Sequence, residues 1–145
     1  MKIIVDADAC PASVLNICRQ AAAKFGVPLW TVASFRHNIE LEKHIVVGDA
    51  PQETDIAIVN AAAAGDIVVT QDWGLAALVI GRRARALSPN GRIYRPASIP
   101  FLLEERHLKA RLRRGGVSTK GPAERPPADD QRFAAALDKL LRRPT

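Results

Sequence analysis

Short apolar runs alternate along this chain with longer stretches in which apolar residues return every three or four positions. Lys2 to Val5 reads as a first strand, built on Ile3-Ile4-Val5. Pro11 opens a helix to about Phe25, with Val14, Leu15, Cys18, Ala22 and Phe25 on one stripe. Gly26 stops it and Pro28 follows. Leu29 to Ala33 reads as a second strand, Phe35 to Glu42 as a loop or short turn, and His44 to Val47 as a third strand closed by Gly48-Asp49. Pro51 to Ala64 is helical in pattern and stopped by Gly65. Asp66 to Thr70 is a fourth strand, Asp72 to Gly81 a helix, and Ala84 to Leu87 a short fifth strand. Ser88-Pro89-Asn90-Gly91 marks a turn that predicts a hairpin with Arg92 to Arg95.

Strands alternating with helices predict βαβ units in one α/β domain spanning residues 1–145. The expected architecture is a mainly parallel central sheet of four to five strands with helices on both faces. From about residue 98 the chain turns basic and helical in pattern, chiefly over Pro100 to Arg114. Residues of about 115–128 read as an exposed loop rich in Gly, Pro, Ser and Thr. A last helix, Asp129 to Arg143, sets Phe133, Leu137, Leu140 and Leu141 on one side.

Composition narrows the class. A hydrophobic share of 48% excludes wholesale disorder, and no apolar run reaches membrane-spanning length. Met1-Lys2 runs directly into a strand-like segment, unlike a signal peptide. Cys10 and Cys18, with no CxxC pair, argue against a disulfide scaffold or structural zinc. If both lay on one helix, eight residues of rise would hold them roughly 12 Å apart, out of bonding reach. A reduced, cytoplasmic protein is expected. The net charge of +6 is uneven: residues 1–100 carry ten Lys and Arg against nine Asp and Glu, residues 101–145 eleven against six. Arg106, Lys109, Arg111, Arg113 and Arg114 are the densest part, suited to a polyanion or to a solvated helix face.

The candidate chemistry lies in carboxylates that follow apolar runs. Asp6 directly follows Ile3-Ile4-Val5, Asp8 is two residues on, and Asp72 follows Ile67 to Gln71. In open α/β sheets, sites form where parallel strands end. If the two strands are neighbours, the three carboxylates converge at one rim and repel unless a cation lies between them. Hard oxygen ligands suit Mg²⁺ or Mn²⁺. Asp8 and Asp72 can equally serve as helix N-caps. Asp55 shares a helical stripe with Ile58, Val59 and Ala62, which asks for a partner; a first-turn aspartate favoured by the helix dipole is the plainer alternative. Asp49 and Glu53 are weaker neighbours. Thr70 and Gln71 flank the site, where a hydroxyl or amide can orient water.

Other residues carry less. Cys10 stands near a helix start, where a thiolate is favoured. A cysteine-based phosphatase loop would nevertheless need its nucleophile at Ser13, and its glycine is absent, so that reading fails. His37, His44 and His107 lack metal-ligand spacing, and there is no GxxxxGKS/T or GxGxxG motif.

Four separated motifs, Asp6-Ala-Asp-Ala-Cys-Pro11, Thr70-Gln-Asp-Trp-Gly-Leu-Ala-Ala77, Ala86-Leu-Ser-Pro-Asn-Gly-Arg92 and Gly121-Pro122, resemble the bacterial YaiI/YqxD family over roughly residues 2 to 141. The resemblance implies a three-layer PIN-like domain, a nuclease-related α/β fold. PIN-like proteins use acidic residues after strand one, on a central helix and after strand four. These fall on Asp6, Asp55 and Asp72, with Asp8 added. PIN domains often carry glutamate on the helix, and the nearby glutamate here is Glu53.

The expected function is therefore divalent-metal-dependent hydrolysis of RNA or DNA. Asp6, Asp8, Asp55 and Asp72 form the catalytic and metal-binding set, and the five basic residues between Arg106 and Arg114 hold the phosphate backbone. A non-catalytic nucleic-acid or protein-binding module, and a small-molecule phosphatase, are the alternatives.

Overall fold

The computed structural model describes residues 1–34, 43–48, 52–96 and 125–143. The expected loop over Phe35 to Glu42, Asp49, the Pro100 to Arg114 helix with its five basic residues, and the loop as far as residue 124 lie outside the described residues.

Among the described residues the elements are β1 (Ile3–Asp6), a 3₁₀ turn (Ala7–Ala9), α1 (Ala12–Phe25), β2 (Leu29–Ser34), β3 (Lys43–Val47), α2 (Glu53–Ala61), β4 (Ile67–Val69), α3 (Trp73–Gly81), β5 (Arg85–Leu87), β6 (Ile93–Tyr94) and α4 (Pro127–Arg142). They build one sheet in the order β3-β2-β1-β4-β5-β6. The first five strands are mutually parallel, and β6 pairs antiparallel with β5. The sheet thus has six strands rather than four or five. The extra one is the return arm of the expected hairpin, which joins the sheet instead of standing apart from it.

The central strands are apolar throughout because both of their faces are covered. In β1, Ile3 and Val5 pack with Val14, Cys18 and Ala22 of α1 and with Phe133, Leu137 and Leu141 of α4. Ile4 points the other way, into Ile58 of α2 and Leu75, Ala76 and Val79 of α3. β4 repeats the alternation in register, Ile3 opposite Ile67, Ile4 opposite Val68 and Val5 opposite Val69. Full burial of one such aliphatic side chain stabilises the fold by about 1.5–3 kcal/mol.

The helix ends follow local chemistry. Gly26 closes α1 with φ +65°, in the left-handed region that glycine enters without penalty. α2 is shorter at both ends than the sequence pattern suggests. At its C-terminal end, Ala62 turns extended and Asp66 accepts from the Ala63 amide at 2.8 Å, so the alanine tail is drawn into the turn before β4. α4 begins at Pro127, two residues earlier than expected, with Pro at its first turn and Asp129 and Asp130 beside its positive end. Cys10 stands before α1 rather than on it, and both cysteines are free.

Candidate active site at the carboxyl ends of the central strands

The sheet order reverses between β1 and β4, the position where a doubly wound sheet opens a crevice beyond its strand ends. Asp6 is the last residue of β1. Asp72 follows β4 after two residues, Asp8 lies in the turn after β1, and Asp55 is in the first turn of α2. All four expected carboxylates therefore come to this one rim, and the charges of Asp55, Asp8 and Asp72 all reach Asp6. Burial, in the first place, and those three charges push the Asp6 carboxyl up to about 6, against the opposing hydrogen bond from Thr70.

Each carboxylate has a distinct local role. Asp6 Oδ2 accepts from the Thr70 hydroxyl at 2.9 Å, and that same oxygen of Thr70 accepts from the Asp72 amide at 3.0 Å. Asp72 is the N-cap of α3, its Oδ1 accepting from the Gly74 amide at 2.9 Å and the Leu75 amide at 3.2 Å. Asp8 is not a helix cap. Its carboxylate accepts from the Ser34 amide at 3.0 Å, the Ser34 hydroxyl at 3.2 Å and the Thr54 hydroxyl at 3.1 Å, joining the end of β2 to the start of α2. Asp55 is half-buried on the stripe that carries Ile58 and Ala62 into the core. Glu53 folds over Gly48. Asp55, not Glu53, bears on Asp6.

Among the described residues no three His, Cys, Asp or Glu side chains are drawn close enough to hold a metal ion between them. The donor set still fits a small hard cation. Mg²⁺ typically takes one or two carboxylates and keeps several waters. Asp6, with its pKa raised partly by neighbouring negative charge, is a group whose ionised form a cation favours.

Cys10 and Cys18 pack with the core on the α1–α4 side of the sheet, in line with the rejected nucleophile reading. Burial and the charge of Asp6 push the Cys10 thiol up to about 12, against the opposing charge of Arg125, and its Sγ faces the Pro11 carbonyl at 3.5 Å. Cys10 is a thiol at neutral pH, whatever the nearby helix start offers.

Three site neighbours are not evident in the sequence pattern. Ser34 holds Asp8, and it lies one residue past the expected second strand, which the structure extends to include it. Tyr94, buried on β6, donates to the Thr70 carbonyl at 3.1 Å and the Gln71 carbonyl at 3.3 Å, fixing the loop that presents Asp72. Burial, and secondarily the charge of Asp72, raise its phenol to about 12. Arg125, just before α4, donates to Asp130 Oδ1 at 2.8 Å and the Pro89 carbonyl at 2.6 Å. A lone tyrosine closing a hairpin was the one available signal; nothing in the pattern pointed to Arg125.

An α/β protein with a doubly wound strand order and four aspartates at its switch point is thus defined by structure alone. The family described as "Uncharacterized BCR, YaiI/YqxD family" matches residues 4–143, and the chain belongs to it. It is similar to a UPF0178 protein of Heliobacterium modesticaldum, 56% identical over 98% of this chain and 97% of the relative. A UPF0178 protein of Clostridium novyi is 42% identical over 97% and 95%, and one of Clostridium acetobutylicum 37% identical over 99% and 98%. No solved structure matches the chain. Among the described residues no helix is long and apolar enough to cross a membrane.

Proposed function

We propose that the protein is a divalent-metal-dependent phosphodiesterase of the PIN-like class, acting on RNA or DNA in the cytoplasm. The observation that carries this reading is the meeting of Asp6, Asp8, Asp55 and Asp72 at the switch point, with Asp6 pushed up to about 6. Two free cysteines suit a reducing compartment.

Asp6 and Asp72 are the principal candidates to hold Mg²⁺ or Mn²⁺, with Asp55 taking part through water. Asp8, tied to Ser34 and Thr54, keeps the β1 turn in place and adds negative charge. When bound, the metal would lower the pKa of a water and neutralise charge on the phosphoryl oxygens. Thr70 favours the ionised form of Asp6 by donating to it, against burial and the neighbouring charges, and Tyr94 fixes the backbone of the Asp72 loop. The basic residues Arg106, Lys109, Arg111, Arg113 and Arg114 are assigned to the phosphate backbone, by charge alone.

The decisive experiment pairs cleavage with binding on a generic oligonucleotide. Wild type cleaves only with Mn²⁺ or Mg²⁺, and Asp72→Asn binds without cleaving. Lys109→Ala with Arg113→Ala lowers affinity across sequences and flattens the salt slope by about two units. Binding without cleavage under any metal makes the protein a binding module. Turnover of a small phosphate ester without oligonucleotide binding makes it a phosphatase.

A further inference from the structure

A groove of about 360 Å³ opens between α2 and α3, lined by Gln52, Asp55, Ile56, Val59, Asn60 and Leu78. That volume falls in the range of small-molecule sites, about 300–1,000 Å³. Its walls are the large apolar side chains that these two helices leave outside. Ile56 is 56% exposed and Leu78 58% exposed, whereas their near neighbours Ile58 and Val79 are wholly buried in the core. Its polar lining is two primary amides, Gln52 and Asn60, and one carboxylate. That carboxylate is Asp55, so the groove starts where the acidic rim ends.

We propose that this groove receives one unpaired nucleobase of a single-stranded nucleic acid whose adjoining phosphate lies at the acidic rim. The proposal rests on reading that rim as a phosphodiesterase site, and it names the substrate class as single-stranded. A base presents flat apolar faces and a polar edge, and the groove offers aliphatic walls with amides between them. Asparagine and glutamine amides match the donor–acceptor edge of adenine as a bidentate pair. The groove lining carries no basic residue to receive a phosphate, so the uncharged base enters it and the backbone stays at the rim, with the cation that the proposed function places there. In a duplex the base faces are stacked on their neighbours, so neither face is free to lie against the aliphatic walls. A second copy of the chain or an apolar peptide seated here would bury Asp55 against apolar surface, a costly placement for a carboxylate.

The test uses adenosine, which carries no phosphate, and so reads the groove without the rim. Methyl NMR of the full chain in millimolar adenosine should show shifts at Ile56, Val59 and Leu78. Adenosine affinity should fall at least tenfold in Asn60→Ala and in Leu78→Ser, both changes at the surface of helices. The absence of shifts in wild type overturns the proposal. So do methyl shifts that depend on protein concentration alone, which would place a second copy in the groove. A second arm compares cleavage of one oligonucleotide single-stranded and fully paired. A strong single-strand preference that Leu78→Ser reduces, at unchanged Mn²⁺ affinity, supports the proposal, and equal cleavage of both forms overturns it. The two readings fail separately. A protein that binds no Mn²⁺ and cleaves nothing, yet binds adenosine at these methyls, loses the phosphodiesterase and keeps the groove.

Discussion

Thr70 links Asp6 to Asp72 through one oxygen, donating to the Asp6 carboxylate at 2.9 Å while accepting from the Asp72 amide at 3.0 Å. The link exists because β1 and β4 pair in register through Val5 and Val69, so each strand delivers its next polar residues to the same rim. Thr70 is itself 1% exposed, and its partners Asp6 and Asp72 are half-buried.

Replacing Thr70 with Val removes the hydrogen bond that lowers the Asp6 pKa and takes the Thr70 hydroxyl away from the Asp72 amide. Carboxyl-detected NMR titration should show Asp6 titrating higher than in wild type. Thermal unfolding should show a loss of about 1–3 kcal/mol, the typical penalty for a buried polar group left unpaired. Thr70→Ser, which keeps the hydroxyl, should restore the Asp6 titration. An unmoved Asp6 pKa in Thr70→Val would refute the coupling.

Asp6→Asn separates fold from site through pH. An unfolded aspartate titrates near 3.9, whereas folded Asp6 titrates at about 6. Between those values the folded state holds more protons, so stability falls as pH rises across the window and the loss is complete above it. The two-unit difference corresponds to about 3 kcal/mol. Asparagine has no such loss. In metal-free buffer above pH 6 the variant should melt higher than wild type, and the gap should close towards pH 4. Mn²⁺ should reverse the order, since only wild type gains the binding term, roughly 2.7 kcal/mol at a hundred times Kd. Parallel stability curves for the two proteins would remove Asp6 as the titrating group.

Much of this fold is legible in the chain because the buried strands are short, wholly apolar and punctuated by Gly, Pro and Asp. Ile3-Ile4-Val5 and Ile67-Val68-Val69 can be found by pattern, and so can the aspartates that follow them. What pattern cannot supply is partnership across the sheet. That Asp8 bonds to Ser34 and Thr54 depends on β2 lying beside β1 and α2 starting beside both, which no local spacing encodes. Tyr94 is hidden for a related reason. A two-residue strand has too little length to show periodicity, and Tyr94 is buried in the core cluster of Ile4, Val68, Leu75 and Val79, which other strands and α3 supply.

Asp8 and Asp55 should respond oppositely to substitution. Asp8→Ala strips the acceptor from the Ser34 amide and hydroxyl and from Thr54, and should cost about 1–3 kcal/mol of stability by urea unfolding. Asp55→Asn should leave the unfolding midpoint within about 0.5 kcal/mol of wild type while lowering Mn²⁺ affinity in calorimetry. Equal stability losses in both variants would make Asp55 a structural residue.

Gly91 tests how tightly the β5–β6 hairpin seats on α4. Its φ is +91°, and a Cβ there would stand 2.7 Å from the Arg132 backbone carbon. Gly91→Ala should therefore destabilise the fold by more than about 1 kcal/mol, from backbone strain and from the clash together. Arg92→Ala, one residue on and exposed, should change stability by less than about 0.5 kcal/mol. Denaturant midpoints of the pair measure the difference, and matching midpoints would show that the hairpin can lift from the helix.

Asp72 has two assigned duties that different substitutions divide. As N-cap it accepts from the Gly74 and Leu75 amides through Oδ1, a contribution worth about 1 kcal/mol. As a rim carboxylate it supplies negative charge beside Asp6. Asp72→Ser and Asp72→Asn keep a capping oxygen and remove the charge; Asp72→Ala removes both. Serine and asparagine should therefore hold the wild-type melting temperature to within a few degrees, and alanine should fall below them. All three should lose Mn²⁺ affinity, and the Asp6 carboxyl should titrate lower in each, because one repelling charge is gone. If Mn²⁺ affinity instead tracks melting temperature, surviving in serine and asparagine and failing only in alanine, then Asp72 acts on the metal through the helix it caps and not as a ligand.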